Sequence, residues 1–340
     1  MTYSVTRTKN YHYVIGFVCV VMLILLILLP TFLGKASLRL ATEMAGYMAL
    51  AVMWNLLAGY AGVMSIGQQT FVGIGGYALF ILAGFSGLPL IPSILSAGII
   101  SALFAIPVGF ILFRLNGAYF AIGSWVIAEI FLLLTAQSVW LGAGSGMSFP
   151  TAVAKSFGNS TERAALFWWI ALTIAIVAFT TAYFWLRSSR GLALTAMRDD
   201  ETAAASLGVD ITRNKFAVYL LAAAIAGMVG SVLFLGKLRI SPTAAYDINE
   251  WTASIIFIVV IGGIGRLEGV IIGVFVFFTL RYYLADFGTY YLMALGAIAI
   301  LMMIKLPKGI WGIVYEKMEI EIFPLRRNII QTQKEKPSHH

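Results

Sequence analysis

Charge is what this sequence most lacks: of its 340 residues only 11% are acidic or basic, against 60% hydrophobic. A soluble domain ordinarily carries ~25% charged residues, and a mean hydropathy of +0.91 leaves more apolar surface than an aqueous core can hide. Cysteine is nearly absent. The single Cys19 sits inside an apolar run, which excludes a disulfide framework and argues for packing rather than redox chemistry. Of three histidines only His12 precedes the C-terminal tail, and no His/Cys cluster or carboxylate pair suggests a metal or catalytic centre, so an integral-membrane enzyme is disfavoured. A nucleotide-binding P-loop is missing too: Gly34-Lys35 and Gly236-Lys237 lack the following Ser or Thr and the preceding glycine spacing.

What is present is a series of apolar runs. A helix needs ~20 apolar residues to cross a hydrocarbon core of about 30 Å, and residues 14–33, 91–113, 164–186 and 216–235 carry no charge at all. In order, the runs predict spans near 14–33, 41–59, 71–85, 91–113, 118–136, 164–186, 216–235, 251–263, 269–285 and 288–305. The expectation is an all-α polytopic membrane protein of about ten helices, the shorter runs being half-helices or re-entrant segments. The first run follows Arg7 and Lys9 but outlasts a signal core and lacks an A-x-A site, so it reads as a retained helix. An even number of spans puts both termini on one side.

The net charge of +8 would suit nucleic acid, but its distribution fits topology instead. With the N-terminus cytoplasmic, seven of the 23 basic residues face outward (Lys35, Arg39, Lys155, Arg163, Lys237, Arg239 and Arg281) and the other 16 inward. Lys35 and Arg39 run against this bias. The chain then divides into a cytoplasmic segment 1–13, a membrane domain 14–305 and a cytoplasmic tail 306–340. Within the membrane domain, 137–163 faces outward with turn chemistry around Trp140, Gly142, Gly144, Gly146 and Pro150, and 187–215 faces the cytoplasm. The tail from Pro324 reads as polar and disordered, with His339-His340 resembling a tag remnant. Trp140, Trp168, Trp169, Tyr183, Trp185 and Trp251 near run ends suit an interfacial belt.

Two apolar runs break at glycine clusters, Gly59, Gly62 and Gly67 in one and Gly262, Gly263 and Gly265 in the other. Residues 55–80 and 255–278 therefore suggest an internal repeat, expected to be inverted, whose interrupted helices flank a pathway; glycine is also simply common in membrane helices. Ser65, Gln68 and Gln69 offer hydrogen bonds where lipid cannot. Glu129, inside a span, is a functional candidate because an intramembrane carboxyl is costly; a packed, hydrogen-bonded carboxyl is the competing reading. The loop from Arg187 to Lys215 is alanine-rich and helix-forming, with Asp199, Asp200 or Thr202 near a start and Gly208 as a stop. Ala193, Ala196, Met197, Ala204 and Leu207 give it an apolar face, so it is either a docking helix or a solvated connector.

Four ordered segments carry a family resemblance: Asn55 to Tyr77, Arg114 to Ile122, Ser189 to Val209, and Ile261 to Gly269. Together they are similar to the permeases of the branched-chain amino acid ABC importers, the LivH/LivM group, and are closer to its LivM-type half. Leu192 stands where that family often has Arg, and Gln69-Thr70 where it has small alanines. The resemblance implies that Arg190, Gly191, Arg198, Asp199, Asp200, Glu201 and Gly208 form an ATPase-docking element. It further implies that Asn55, Ser65, Gln68, Gln69, Tyr119 and Glu129 line a translocation route. The implied partners are a second permease, two cytoplasmic ATPase subunits holding ATP and Mg, and an extracytoplasmic substrate-binding protein, all at a bacterial inner membrane; this chain itself would bind no cofactor. Urea or small amides are alternative cargoes. An ion-coupled secondary transporter using Glu129 and Glu43 is the rival class, and the 187–215 loop speaks against it.

Overall fold

Where water is excluded, a backbone satisfies its own hydrogen bonds most simply as helix. The structure, a computed structural model describing residues 2–6, 11–284, 287, 290–318, 322, 323 and 328–332, follows that rule. Helices α1 (Tyr11–Phe32), α2 (Lys35–Asn55), α3 (Gln69–Leu79), α4 (Leu90–Leu112), α5 (Ala118–Gln137), α7 (Ser160–Arg187), α10 (Ile211–Lys237), α12 (Ser254–Gly262), α13 (Leu267–Leu284) and α14 (Tyr290–Lys305) form the bundle. Between them lie the short α6 (Thr151–Ser156), α8 (Ser189–Asp199), α9 (Glu201–Ser206) and α11 (Pro242–Ala245), and α15 (Gly309–Met318) follows α14. Among the described residues eight stretches are long and apolar enough to cross a membrane, and Gly16–Ile27 and Gln69–Phe85 are shorter apolar helices. The chain is a multi-pass, all-α membrane protein.

Helix α10 is the centre, packed on α3, α4, α2 and α7. Lipid tails are as apolar as leucine, so helices in a membrane associate through close packing and small residues rather than through exclusion of water. A Cβ on Gly75 of α3 would run into the Gly227 carbonyl of α10, and one on Gly230 into the Val72 carbonyl. Aromatic pairs fill the remaining space, Phe71 edge-on to Tyr219 at 5.5 Å and Tyr47 stacked on Trp251 at 5.7 Å.

Several expectations change. The stretch from Pro324 holds structure in part: β4 (Asn328–Thr332) pairs antiparallel with β1 (Thr2–Thr6), bringing the two terminal segments together, and before it α15 packs on α12 and α13. His339 and His340 lie outside the described residues. Helices α2 and α12 end side by side, and α3 and α13 return from there, so the two broken hairpins run the same way and are not inverted. Trp168 and Trp251 are buried rather than interfacial. Pro30 has no N–H to give Leu26; the Trp168 indole supplies that carbonyl's donor at 2.9 Å, and Trp169 bonds Ile27 at 3.1 Å. Residues 137–163 form turns and α6, and their β2 (Met147–Ser148) pairs with β3 (Arg239–Ile240) after α10.

Because backbone meets backbone at the α3–α10 crossing, Gly230→Val is expected to destabilise the bundle by about 2 kcal/mol or more through overpacking. Thermal unfolding in detergent monitored by size exclusion checks this; an unchanged midpoint would contradict the crossing.

Candidate functional site

Each broken helix ends at the side of the bundle that carries α8 and α9. After α2 the backbone widens into a π-helical turn, Leu56–Tyr60, and such turns disturb the regular ladder, often at functional positions. After α12 it reverses through Gly263 and Gly265, whose φ values of +125° and +77° suit glycine. Asn55, fully buried, joins the two ends. Its amide nitrogen donates to the Arg266 carbonyl at 3.0 Å, and its oxygen accepts from the Gly265 N–H at 2.8 Å. Gly59 allows this approach, since a Cβ there would strike the Asn55 oxygen.

Arg198, near the end of α8, completes the junction. Its guanidinium donates from Nη1 to the Gly59 carbonyl at 3.0 Å and from Nε and Nη2 to the Asp199 carboxylate at 3.2 and 3.1 Å. Gly62 packs against the Arg198 backbone. On the other flank the Arg266 guanidinium lies 4.3 Å from the Tyr315 ring centre of α15, and Gly263 abuts Gly309. One arginine of α8 thus touches the first break, and Asn55 passes the connection to the second.

The 187–215 segment is two helices, not one. Ser188 caps α8 by accepting from the Arg190 N–H, and Gly191 fits against the Leu186 backbone. Leu194 and Met197 anchor α8 in the core, as Ala204 anchors α9. Asp200 splits the pair: its side chain accepts from the N–H groups of Thr202 at 2.8 Å and Ala203 at 3.0 Å, capping α9. The Ala203 and Thr202 N–H groups hold its carboxyl below the usual range. Glu201 pairs with Lys215 at 2.5 Å. Gly208, with φ +84°, ends the motif. Leu192 and Leu207 are exposed beside Arg190, Asp199, Asp200 and Glu201, so Leu207 belongs to the outer surface and not to the apolar face expected for it.

The proposed route residues divide. Ser65, Gln68 and Gln69 are buried. The Ser65 carbonyl accepts from Trp54 at 2.8 Å, and Ser124 of α5 accepts from the Ile66 N–H at 2.9 Å while its own carbonyl closes on Gly67. Gln69 accepts from the Thr252 hydroxyl. Both polar atoms of Gln68, the Gln69 nitrogen, and the hydroxyls of Thr70 and Tyr77 are buried without a hydrogen-bond partner among the described residues. Tyr246 covers Gly73 and accepts from Thr135 at 3.2 Å. Tyr119 and Glu129 lie elsewhere, on the outer face of α5. Tyr119 is 74% exposed, and Glu129 accepts from the Trp125 indole at 3.1 Å. No set of three metal-ligating side chains occurs among the described residues.

Residues 36–304 match the family model described as branched-chain amino acid transport system, permease component. The chain belongs to that permease family. It is 27% identical over 323 residues to the high-affinity branched-chain amino acid transport system permease protein LivM of Salmonella typhimurium, covering 88% of this chain and 76% of that one. It is 26% identical to Escherichia coli LivM over 325 residues, 89% and 76% of the two chains. A probable LivH of Methanocaldococcus jannaschii is 28% identical over 139 residues, 38% of this chain and 42% of that one. No solved structure matches.

Within this permease, sequence reasoning missed Thr252, Tyr246, Thr135 and Tyr315, each of which meets its partner from a distant segment. Asn55→Ala is expected to cost about 1–3 kcal/mol, by stranding a buried N–H and carbonyl, and to raise amide exchange at 264–266; native exchange there would contradict the junction. Asp200 has a lowered carboxyl pKa in the folded state, so its cap contributes fully above the ordinary value of 3.8 and is lost as pH falls through the lower folded value. Exchange protection of α9 is expected to fall in acid and in Asp200→Ala at neutral pH.

Proposed function

We propose that this permease is one of two membrane subunits of an ATP-binding cassette importer for branched-chain amino acids. In this reading it lies in the bacterial inner membrane with both termini cytoplasmic, and helices α8 and α9 seat on a separate ATPase that holds ATP and Mg. The observation that carries the reading is the Arg198 bond to the Gly59 carbonyl, because it gives a displacement of α8 a direct mechanical path to both helix breaks. The exposed residues of α8 and α9 alternate charge with Leu192 and Leu207, a surface suited to a partner's cleft. The names of the relatives support the cargo, and a substrate-binding protein would deliver it where 137–163 folds over the end of α10.

The outer face of α5 supports a shared route with a second permease. Glu129 lies eleven residues along α5, about 17 Å at 1.5 Å per residue, near the middle of a bilayer. A carboxylate facing lipid at that depth is costly, so in the assembled importer this face is covered by the partner permease and by water. Gly59, Gly62 and Gly67 let the neighbouring break move against Ser124 on the same helix. Alternating access then consists of the two breaks shifting together when the ATPases close.

Charge reversal of Asp199, Asp200 and Glu201 to Lys is expected to reduce substrate-stimulated ATP hydrolysis and uptake to background while membrane insertion stays normal. Normal coupling in that variant would remove the docking assignment, and uptake that survives ATP depletion but not ionophores would favour ion coupling.

A further inference from the structure

At the end of the bundle opposite α8, a cleft of about 260 Å³ opens between α2, α7 and α10. Arg39, Glu43, Arg163 and Lys237 line it over an apolar floor that includes Phe167 and Leu233. Four ionisable side chains of both signs in one cleft are conspicuous in a chain that is 11% charged. Arg39, Arg163 and Lys237 also belong to the minority of basic residues on the side that the positive-inside bias leaves poor, so topology does not account for them.

Their own contacts account for only part of this charge, since Lys237 is already paired with Glu250. Arg39 and Glu43 are one turn apart on α2, where opposite charges can pair, yet neither makes an ion pair or hydrogen bond among the described residues. Arg163 uses Nη1 on the Ala154 carbonyl at 3.0 Å, leaving the rest of its fork to the cleft. Lys237 is paired with Glu250 at 3.9 Å and lies 5.7 Å from the ring centres of Phe234 and Trp251, so its position is fixed and it adds a shared rather than a free positive charge. Guanidinium groups match carboxylate and phosphate oxygens. The volume falls just below the ~300–1,000 Å³ of drug-sized pockets. Arg39 is four residues into α2, about 6 Å from its end, at interfacial depth.

We propose that this cleft binds a small zwitterion, its anionic group held by Arg39, Arg163 and Lys237 and its primary ammonium by Glu43. Two sources carry that chemistry: a free α-amino acid at the outer surface, and the headgroup of phosphatidylethanolamine. Phosphatidylcholine shares the phosphate but has no ammonium N–H to give Glu43. The site is separate from the helix breaks and from α5, and it requires neither nucleotide nor a partner subunit.

The full chain in phosphatidylcholine nanodiscs provides the test, with phosphatidylethanolamine retention read by native mass spectrometry and L-leucine binding by equilibrium dialysis. The expected result is retention of phosphatidylethanolamine over phosphatidylcholine, or saturable leucine binding. Either signal is to fall roughly tenfold, the worth of one charged contact, in both Arg39→Gln and the near-isosteric Glu43→Gln. Ethanolamine lipid alone identifies the headgroup as the ligand; leucine alone identifies the free amino acid. Equal retention of both lipids without leucine binding, or binding that neither variant weakens, overturns the site. Loss in Arg39→Gln with none in Glu43→Gln overturns the zwitterion in favour of a plain anion.

Discussion

The amide of Asn55 holds the ends of two interrupted helices together, and the proposed coupling role rests on that clasp. It works because a primary amide is both donor and acceptor, so one side chain satisfies a carbonyl and an N–H that a reversing backbone would otherwise leave bare. Buried away from water, such groups are expensive when unpaired, which makes the clasp rigid. Arg198 then attaches α8 to the same junction through the Gly59 carbonyl, one of the last carbonyls of a helix that ends at Tyr60 and so open to a donor from outside it. Two helix breaks and a surface helix become one mechanical unit.

Around that unit the bundle is held by contact at close range. In lipid there is little to gain by hiding apolar surface, so the α3–α10 crossing relies on Gly75, Gly227 and Gly230 bringing backbones together. The polar groups of α3 show a different economy. Gln69 is paired with Thr252, while Thr70, Tyr77 and the preceding Gln68 hold buried atoms with no hydrogen-bond partner among the described residues. A helix with unspent hydrogen-bonding capacity beside a glycine break is suited to water and to rearrangement rather than to static packing.

Much of this was legible in the amino-acid order. Uncharged runs gave the helices, since nothing else buries a backbone in hydrocarbon, and the glycine clusters marked both breaks. The acidic triplet and Gly208 located α9, with Asp200 among its candidate starts, but a separate α8 before it was not read, because Asp is equally at home in a first turn and as a cap; only the extended backbone at that residue decides. The partners of Asn55 and Gln69 lay beyond reach for another reason. Bonds between residues about two hundred positions apart leave no periodicity for a reader to find. Trp168 and Trp251 were misplaced because an aromatic near a run end looks the same whether it meets headgroups or a buried carbonyl, that of Leu26 bared by Pro30 for Trp168 and that of Ala244 for Trp251. The direction of the two hairpins came from their side-by-side ends and not from their similar glycines.

The central claim is that α8 and the two breaks move as one body. With Cys19 replaced by Ser, pulsed electron-resonance distances in the proposed importer assembly can be measured between labels at the exposed positions Leu192 and Ile264, and between Ile264 and Phe85 at the far end. On going from the nucleotide-free to the ATP-trapped state, the 192–264 distance is predicted to stay constant while the 264–85 distance changes. A shift of 192 relative to 264, with 264–85 unchanged, would contradict it.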